Sequence, residues 1–143
     1  MEIRQVFIEH INTITDKIKN SDCRSVLDIL NGEVEKQKIN DNYYKIILRE
    51  VSDYIKVIII DCKANSVQAI SFNGTINISP KQLFEMFKNY REGYSIRDDL
   101  YFYFFNEDKK NGDYTLSFFD PLHKQVDIIE NNEYLSNLTI SLD

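Results

Sequence analysis

Leu100-Tyr101-Phe102-Tyr103-Phe104-Phe105 sets five aromatic residues in succession behind a leucine, with Asp98-Asp99 before it and a polar stretch after it. Aromatic side chains fit a pleated, packed surface, and a short apolar run between polar breakers reads as a strand covered on both faces. Alternation sends Leu100, Phe102 and Phe104 to one face and Tyr101, Tyr103 and Phe105 to the other. Tyrosine at two positions predicts the thinner cover on that second face, where a phenol oxygen reaches water or a partner. Burying such a ring is worth roughly 2–3 kcal/mol, so this strand anchors a core.

The other elements are arranged before and after it. Ile3, Phe7, Ile11, Ile14 and Ile18 recur at spacings of four and three, which predicts an amphipathic helix from about Ile3 to Lys19. Ser21 or Asp22 suits the N-cap of a second helix carrying Val26, Leu27 and Leu30, closed by Gly32 or extended through 33–36, with Gln37–Asn42 as connector. Tyr44–Arg49, Tyr54–Ile60 and Val67–Phe72 read as strands, and Asn73-Gly74 as a two-residue hairpin turn returning through Thr75–Ile78. Ser79-Pro80-Lys81-Gln82 carries an N-cap, a first-turn proline and a capping-box glutamine, with Leu83, Phe84, Phe87 and Tyr90 as the buried stripe and Gly93 as the closing residue. After the aromatic strand, Asp113–Phe119 should return antiparallel, Lys124–Ile129 should add a strand, and Leu138–Leu142 should supply the last. The expected fold is α+β: two N-terminal helices, then a mainly antiparallel sheet of about six to seven strands interrupted by one helix at about 80–92. A single domain spans 1–143.

At 143 residues, 43% hydrophobic and 28% charged, the chain has the composition of a folded domain with a sizeable core. No apolar run approaches the roughly 20 residues of a membrane span, and Met1-Glu2-Ile3-Arg4-Gln5 lacks the order of a secretion signal. Cys23 and Cys62 fit no metal or redox spacing and read as two buried or half-buried free thiols in a reducing cytoplasm. The net charge of −6 is concentrated in residues 98–143, which hold ten acids against three bases. Such a one-sided field disfavours direct nucleic-acid binding and anionic membrane, and steers a basic protein partner.

Catalytic constellations are missing from the sequence. His10 reads as a rim residue of the first helix and His123 as a turn residue, and neither is accompanied by a nucleophile signature. The glycines form no phosphate-cradling loop, and Asp108–Asp113 has no glutamate closing a calcium loop. The chain is therefore read as a non-enzyme without cofactor or metal. In size, acidity, α+β character and richness in Asn, Ile, Lys and Tyr it resembles the bacterial immunity proteins of contact-dependent inhibition and other polymorphic toxin systems. The resemblance implies a tight complex with a cognate protein toxin, often a basic nuclease. Asp113, Asp120, Asp127, Glu130 and Glu133 are the expected contact residues, with Tyr101 and Tyr103 as aromatic anchors. Two other classes fit the same residues. One is a small enzyme or ligand-binding domain with a pocket between helix and sheet, containing His10 or His123 beside an acid or thiol. The other is a self-assembling module using Leu138–Leu142 as an exposed edge strand.

Overall fold

Alternating apolar residues pair into one antiparallel sheet of eight strands in a computed structural model that describes residues 5–19, 22–23, 33–120 and 128–142. The strands are β1 (Glu33–Lys38), β2 (Tyr43–Arg49), β3 (Ile55–Lys63), β4 (Ser66–Ile76), β5 (Tyr90–Ser95), β6 (Leu100–Phe105), β7 (Thr115–Asp120) and β8 (Leu135–Ser141). Their order across the sheet is β1-β2-β3-β4-β8-β7-β6-β5. Two four-stranded meanders thus meet along one seam, β4 against β8, in register Ile70↔Ile140 and Phe72↔Leu138. A 3₁₀ turn (Ile8–His10) leads into α1 (Ile11–Lys19), and α2 (Pro80–Met86) carries the chain from the seam out to the far edge.

One face of this sheet is the core. Ile46, Leu48, Ile58, Ile60, Ile70, Phe72, Tyr103, Phe105, Leu116, Phe118, Leu138 and Ile140 alternate onto it, and all are buried. The helix α2 is held there by its cap: Ser79 Oγ accepts from Gln82 N, and Gln82 Oε1 accepts from Ser79 N at 2.9 Å. Its Phe84 ring meets Tyr103 at 5.7 Å and Phe105 at 5.2 Å between centroids, edge to face. The same core takes up Ile11, Ile14 and Ile18 of α1, which are 0–3% exposed.

The opposite face carries Lys45, Ile47, Ile59, Asp61, Ala69, Ser71, Ser117, Thr139, Ser141, Phe102 and Phe104, all half-buried. No described helix packs on it. Buried on this side is Asn137, 4% exposed, where the β7–β8 ladder stops after Ser117↔Thr139. Its side chain continues the pairing, accepting from Phe119 N at 3.0 Å and donating to Phe119 O at 2.8 Å.

Several expectations are corrected. The tyrosine side of β6 is the covered side: Tyr103 is fully buried, while Phe102 and Phe104 face the open surface, because α2 packs over Tyr103 and Phe105. Asn73-Gly74 is no hairpin turn; β4 runs straight through it with shifted registers on both sides. Gly74 is required there because a Cβ would stand 2.2 Å from Tyr54 O, at a φ of +140°. Helix α2 stops at Met86, and residues 90–95, including Gly93, form the edge strand β5 paired with β6. Residues 33–38, assigned to helix and connector, form edge strand β1. Leu138–Leu142 is no edge: β8 lies between β4 and β7. The first helix starts at Ile8, since Phe7 bridges Asn77 in extended geometry. The body of the expected second helix, 24–32, lies outside the described residues, as does most of the expected strand 124–129, of which Ile128 and Ile129 are not in a strand.

Cys23 and Cys62 are joined in a disulfide, not free, with Cα atoms 6.4 Å apart and both residues fully buried. The bridge lies on the core face of β3, and Cys23 N donates to Asn65 O at 3.0 Å beside it. Among the described residues no helix is long and apolar enough to cross a membrane.

Candidate functional site

The acidic C-terminal third divides between the two ends of the sheet. Asp113 belongs to the β6–β7 loop, which Asn106 organises from a buried position at φ +63°. The Asn106 amide donates to Gly112 O at 3.0 Å and Tyr114 O at 2.7 Å, while Asn111 N donates to its Oδ1. Asp113 is thereby aimed at the end of α1, where Lys19 Nζ meets its carboxylate at 2.6 Å. The lysine holds that carboxyl below the usual carboxylate range. Asp120 ends the same strand that Asp113 precedes, so roughly 20 Å of strand separates them.

Asp120 instead joins the end where β5 turns into β6. It pairs across the ladder with Tyr101, and the 96–99 turn beside it supplies Asp98 and Asp99. Asp99 takes left-handed backbone at φ +51° and accepts a hydrogen bond from Tyr94 Oη, which raises that phenol above its usual value. Ser95 Oγ accepts from Asp98 N at 3.3 Å and donates to Asp98 Oδ2 at 3.2 Å, closing the turn. The loop entering β8 arrives at this end too. There Asn131 O accepts from Lys81 N, Glu130 lies 3.9 Å from Lys81 Nζ, and Glu133 N donates to Asn131 Oδ1 at 2.8 Å. Asp98, Asp99, Glu130 and Glu133 are exposed, and Asp120 is half-buried. Tyr134 (61% exposed), next to Glu133, and Tyr94 (49%), bonded to Asp99, lie at the same end, with Ile96 in the turn.

Of the residues expected to make contacts, Asp120, Glu130 and Glu133 therefore share one end, and Asp113 is at the other, spent on Lys19. Asp127 lies outside the described residues. Tyr101 is half-buried, its ring 4.8 Å from that of Tyr94. Tyr103 is 0% exposed, its hydroxyl has no hydrogen-bond partner among the described residues, and burial pushes its phenol upward, with Glu92 and Asp120 adding to the effect. The sequence reading did not single out Tyr94, which follows the expected helix end at Gly93 and lies in β5, or Tyr134, whose neighbour Glu133 was its signal. It treated Asp98-Asp99 only as a strand terminator.

The helix–sheet pocket expected of an enzyme has a definite signature, and its members are placed as follows. His10 is exposed, with its ring edge-on to Phe7 at 5.3 Å. Both thiols are in the disulfide, and His123 lies outside the described residues. Among the described residues no group of three or more His, Cys, Asp or Glu is arranged to hold a metal. Two surface cavities have other linings, one of about 280 Å³ between residues 86–89 and the 106–111 loop, one of about 650 Å³ on the open face. No family model, curated protein or solved structure matches the chain.

Proposed function

We propose that the chain is an immunity protein that binds and neutralises a basic protein toxin, through the end of the sheet where β5, β7 and the loop before β8 converge. The observation supporting this reading is the placement of Asp98, Asp99, Asp120, Glu130 and Glu133 at one end of the sheet, together with the exposed rings of Tyr94 and Tyr134. Carboxylates on a rigid rim steer a basic partner and form charge-assisted hydrogen bonds with it, while amphipathic rings between them act as anchors. The described bases at this end are Arg97 in the turn and Lys81, which already faces Glu130.

The test begins with the protein that the chain recovers from its own host, identified by mass spectrometry. Asp98→Lys, Glu130→Lys and Glu133→Lys together should slow association with it by about tenfold or more at low salt and flatten the salt dependence. Unchanged association would remove this end from the reading. A cytoplasmic location belongs to the same proposal, and there the Cys23–Cys62 bridge would meet reducing conditions. Thiol alkylation during isolation from the host reads out which form the cell holds, and a fully bridged chain would argue for an oxidising compartment.

A further inference from the structure

The open face of the sheet holds a second polar site, remote from the acidic end. At the β3–β4 pairing the register moves from Asp61↔Ala69 to Cys62↔Val67, so Gln68 is an extra residue bulged out of β4. Bulges of this kind re-aim side chains, and neither Gln68 nor Ala69 enters the core here. Ala69, the smallest side chain on this face, stands between Asp61 on β3 and Ser141 on β8. The result is a cavity of about 650 Å³ whose walls include Asn42, Tyr43, Asp61, Lys63, Gln68 and Ser141. Asn40, from the β1–β2 loop, closes the rim and is fixed there by accepting from Asn42 N at 2.9 Å.

The chemistry of these walls is specific. The Asp61 side chain makes no hydrogen bond among the described residues. Its Oδ1 is shielded from solvent and faces Lys45 Nζ at 3.7 Å, an ion-pair distance too long for a hydrogen bond. The side chain is still 23% exposed, which leaves Oδ2 toward the cavity. Around it, carboxamides and hydroxyls present donors and acceptors together. The charges of Asp61 and Lys63 oppose each other, so a charged ligand meets a like charge as well as an opposite one. A ring of neutral hydroxyls can donate to Asp61, exchange hydrogen bonds with the amides and lay its C–H face on Tyr43. We propose that this cavity binds a neutral polyhydroxylated small molecule, a saccharide by chemical class, with Asp61 as the principal acceptor and Ala69 as the floor that makes room for it.

The test uses the whole ¹⁵N-labelled chain titrated separately with glucose, galactose, mannose and N-acetylglucosamine to about 100 mM, a range that detects millimolar binding. At least one sugar should give saturable amide shifts confined to residues 40–43, 61–63, 66–69 and 141. Ala69→Leu should abolish them, and Asp61→Asn should weaken binding roughly tenfold by removing a charge-assisted bond. Both positions are half-buried on the open face, and melting at the wild-type temperature would show that both variants fold. Saturation by none of the four sugars, shifts located elsewhere, or shifts undiminished in both variants would each overturn the proposal. So would inorganic phosphate moving the same amides at lower concentration, which would mark an anion site.

Discussion

Reducing the Cys23–Cys62 bridge, with no residue changed, should destabilise the fold substantially. The bridge joins residues 39 apart, and closing a loop of that length in the unfolded chain is worth about 4 kcal/mol at 25 °C by the chain-entropy relation. For 143 residues that converts to a melting temperature lower by roughly 10–15 °C. Reduction keeps both sulfur atoms in their buried positions, where a thiol behaves as a small apolar group, so the comparison isolates the cross-link from the packing. Thermal melts followed by circular dichroism, with and without a phosphine reductant, measure the shift. Intact mass after alkylation confirms the redox state of each sample. Coincident melts from fully oxidised and fully reduced samples would refute the reasoning, because the constraint would then be carried by other contacts of the N-terminal segment. Those contacts are the isoleucine stripe of α1, the Lys19–Asp113 pair and the backbone bridge from Asp22 to Ser66.

Gly74→Ala should cost about 2 kcal/mol or more, through the clash with Tyr54 O and an unfavourable positive φ. Gly93→Ala, with no atom of the described residues within 4 Å of its new Cβ, should stay within about 0.5 kcal/mol; urea unfolding compares the two. Tyr103→Phe removes a buried hydroxyl that lacks a partner among the described residues, and should be neutral or stabilising by up to about 1 kcal/mol. A clear loss of stability in the same assay would reveal a hydrogen bond to that hydroxyl. Asp113 has its carboxyl lowered in the folded state by Lys19. Its contribution is therefore present above the unfolded carboxyl pKa of about 3.9 and is lost as pH falls through the folded value. Lys19→Met should return the Asp113 titration, read by carboxyl NMR, toward the ordinary aspartate value, and an unmoved titration would rule out the lysine as its cause.

Local chemistry was legible in the sequence, and long-range geometry was not. The Ser79-Pro80-Gln82 cap depends on residues within one turn, and it forms as the pattern requires. The alternation of β6 was equally plain, but which of its faces is covered depends on where α2 returns, and nothing inside the strand encodes that. Asn-Gly at 73–74 carries the same signal whether the glycine serves a turn or a close approach; here the approaching atom, Tyr54 O, lies on another strand. Strand β1 has no apolar alternation, and pairing with β2 organises it through backbone hydrogen bonds. The disulfide followed no spacing motif because its two cysteines lie 39 residues apart and only the fold brings them together. At the candidate site, Asp113 and Asp120 looked like members of one acidic stretch. The length of β7 sends them to opposite ends of the sheet, and Tyr94 fell just past the end of a helix expected to run to about 92, where β5 forms instead.

The seam between the meanders has a consequence for synthesis. The long strand β4 finds its second neighbour only in residues 135–141, some sixty residues downstream. Until those residues leave the ribosome, an eleven-residue strand bearing Ile70, Phe72 and Ile76 keeps one backbone edge unpaired. Pairing of this sequence separation is slow, and a nascent edge so apolar invites the wrong strand. Arrest of translation before Leu135 should therefore leave a chain bound by chaperones, and release of the following residues should free it in a single step.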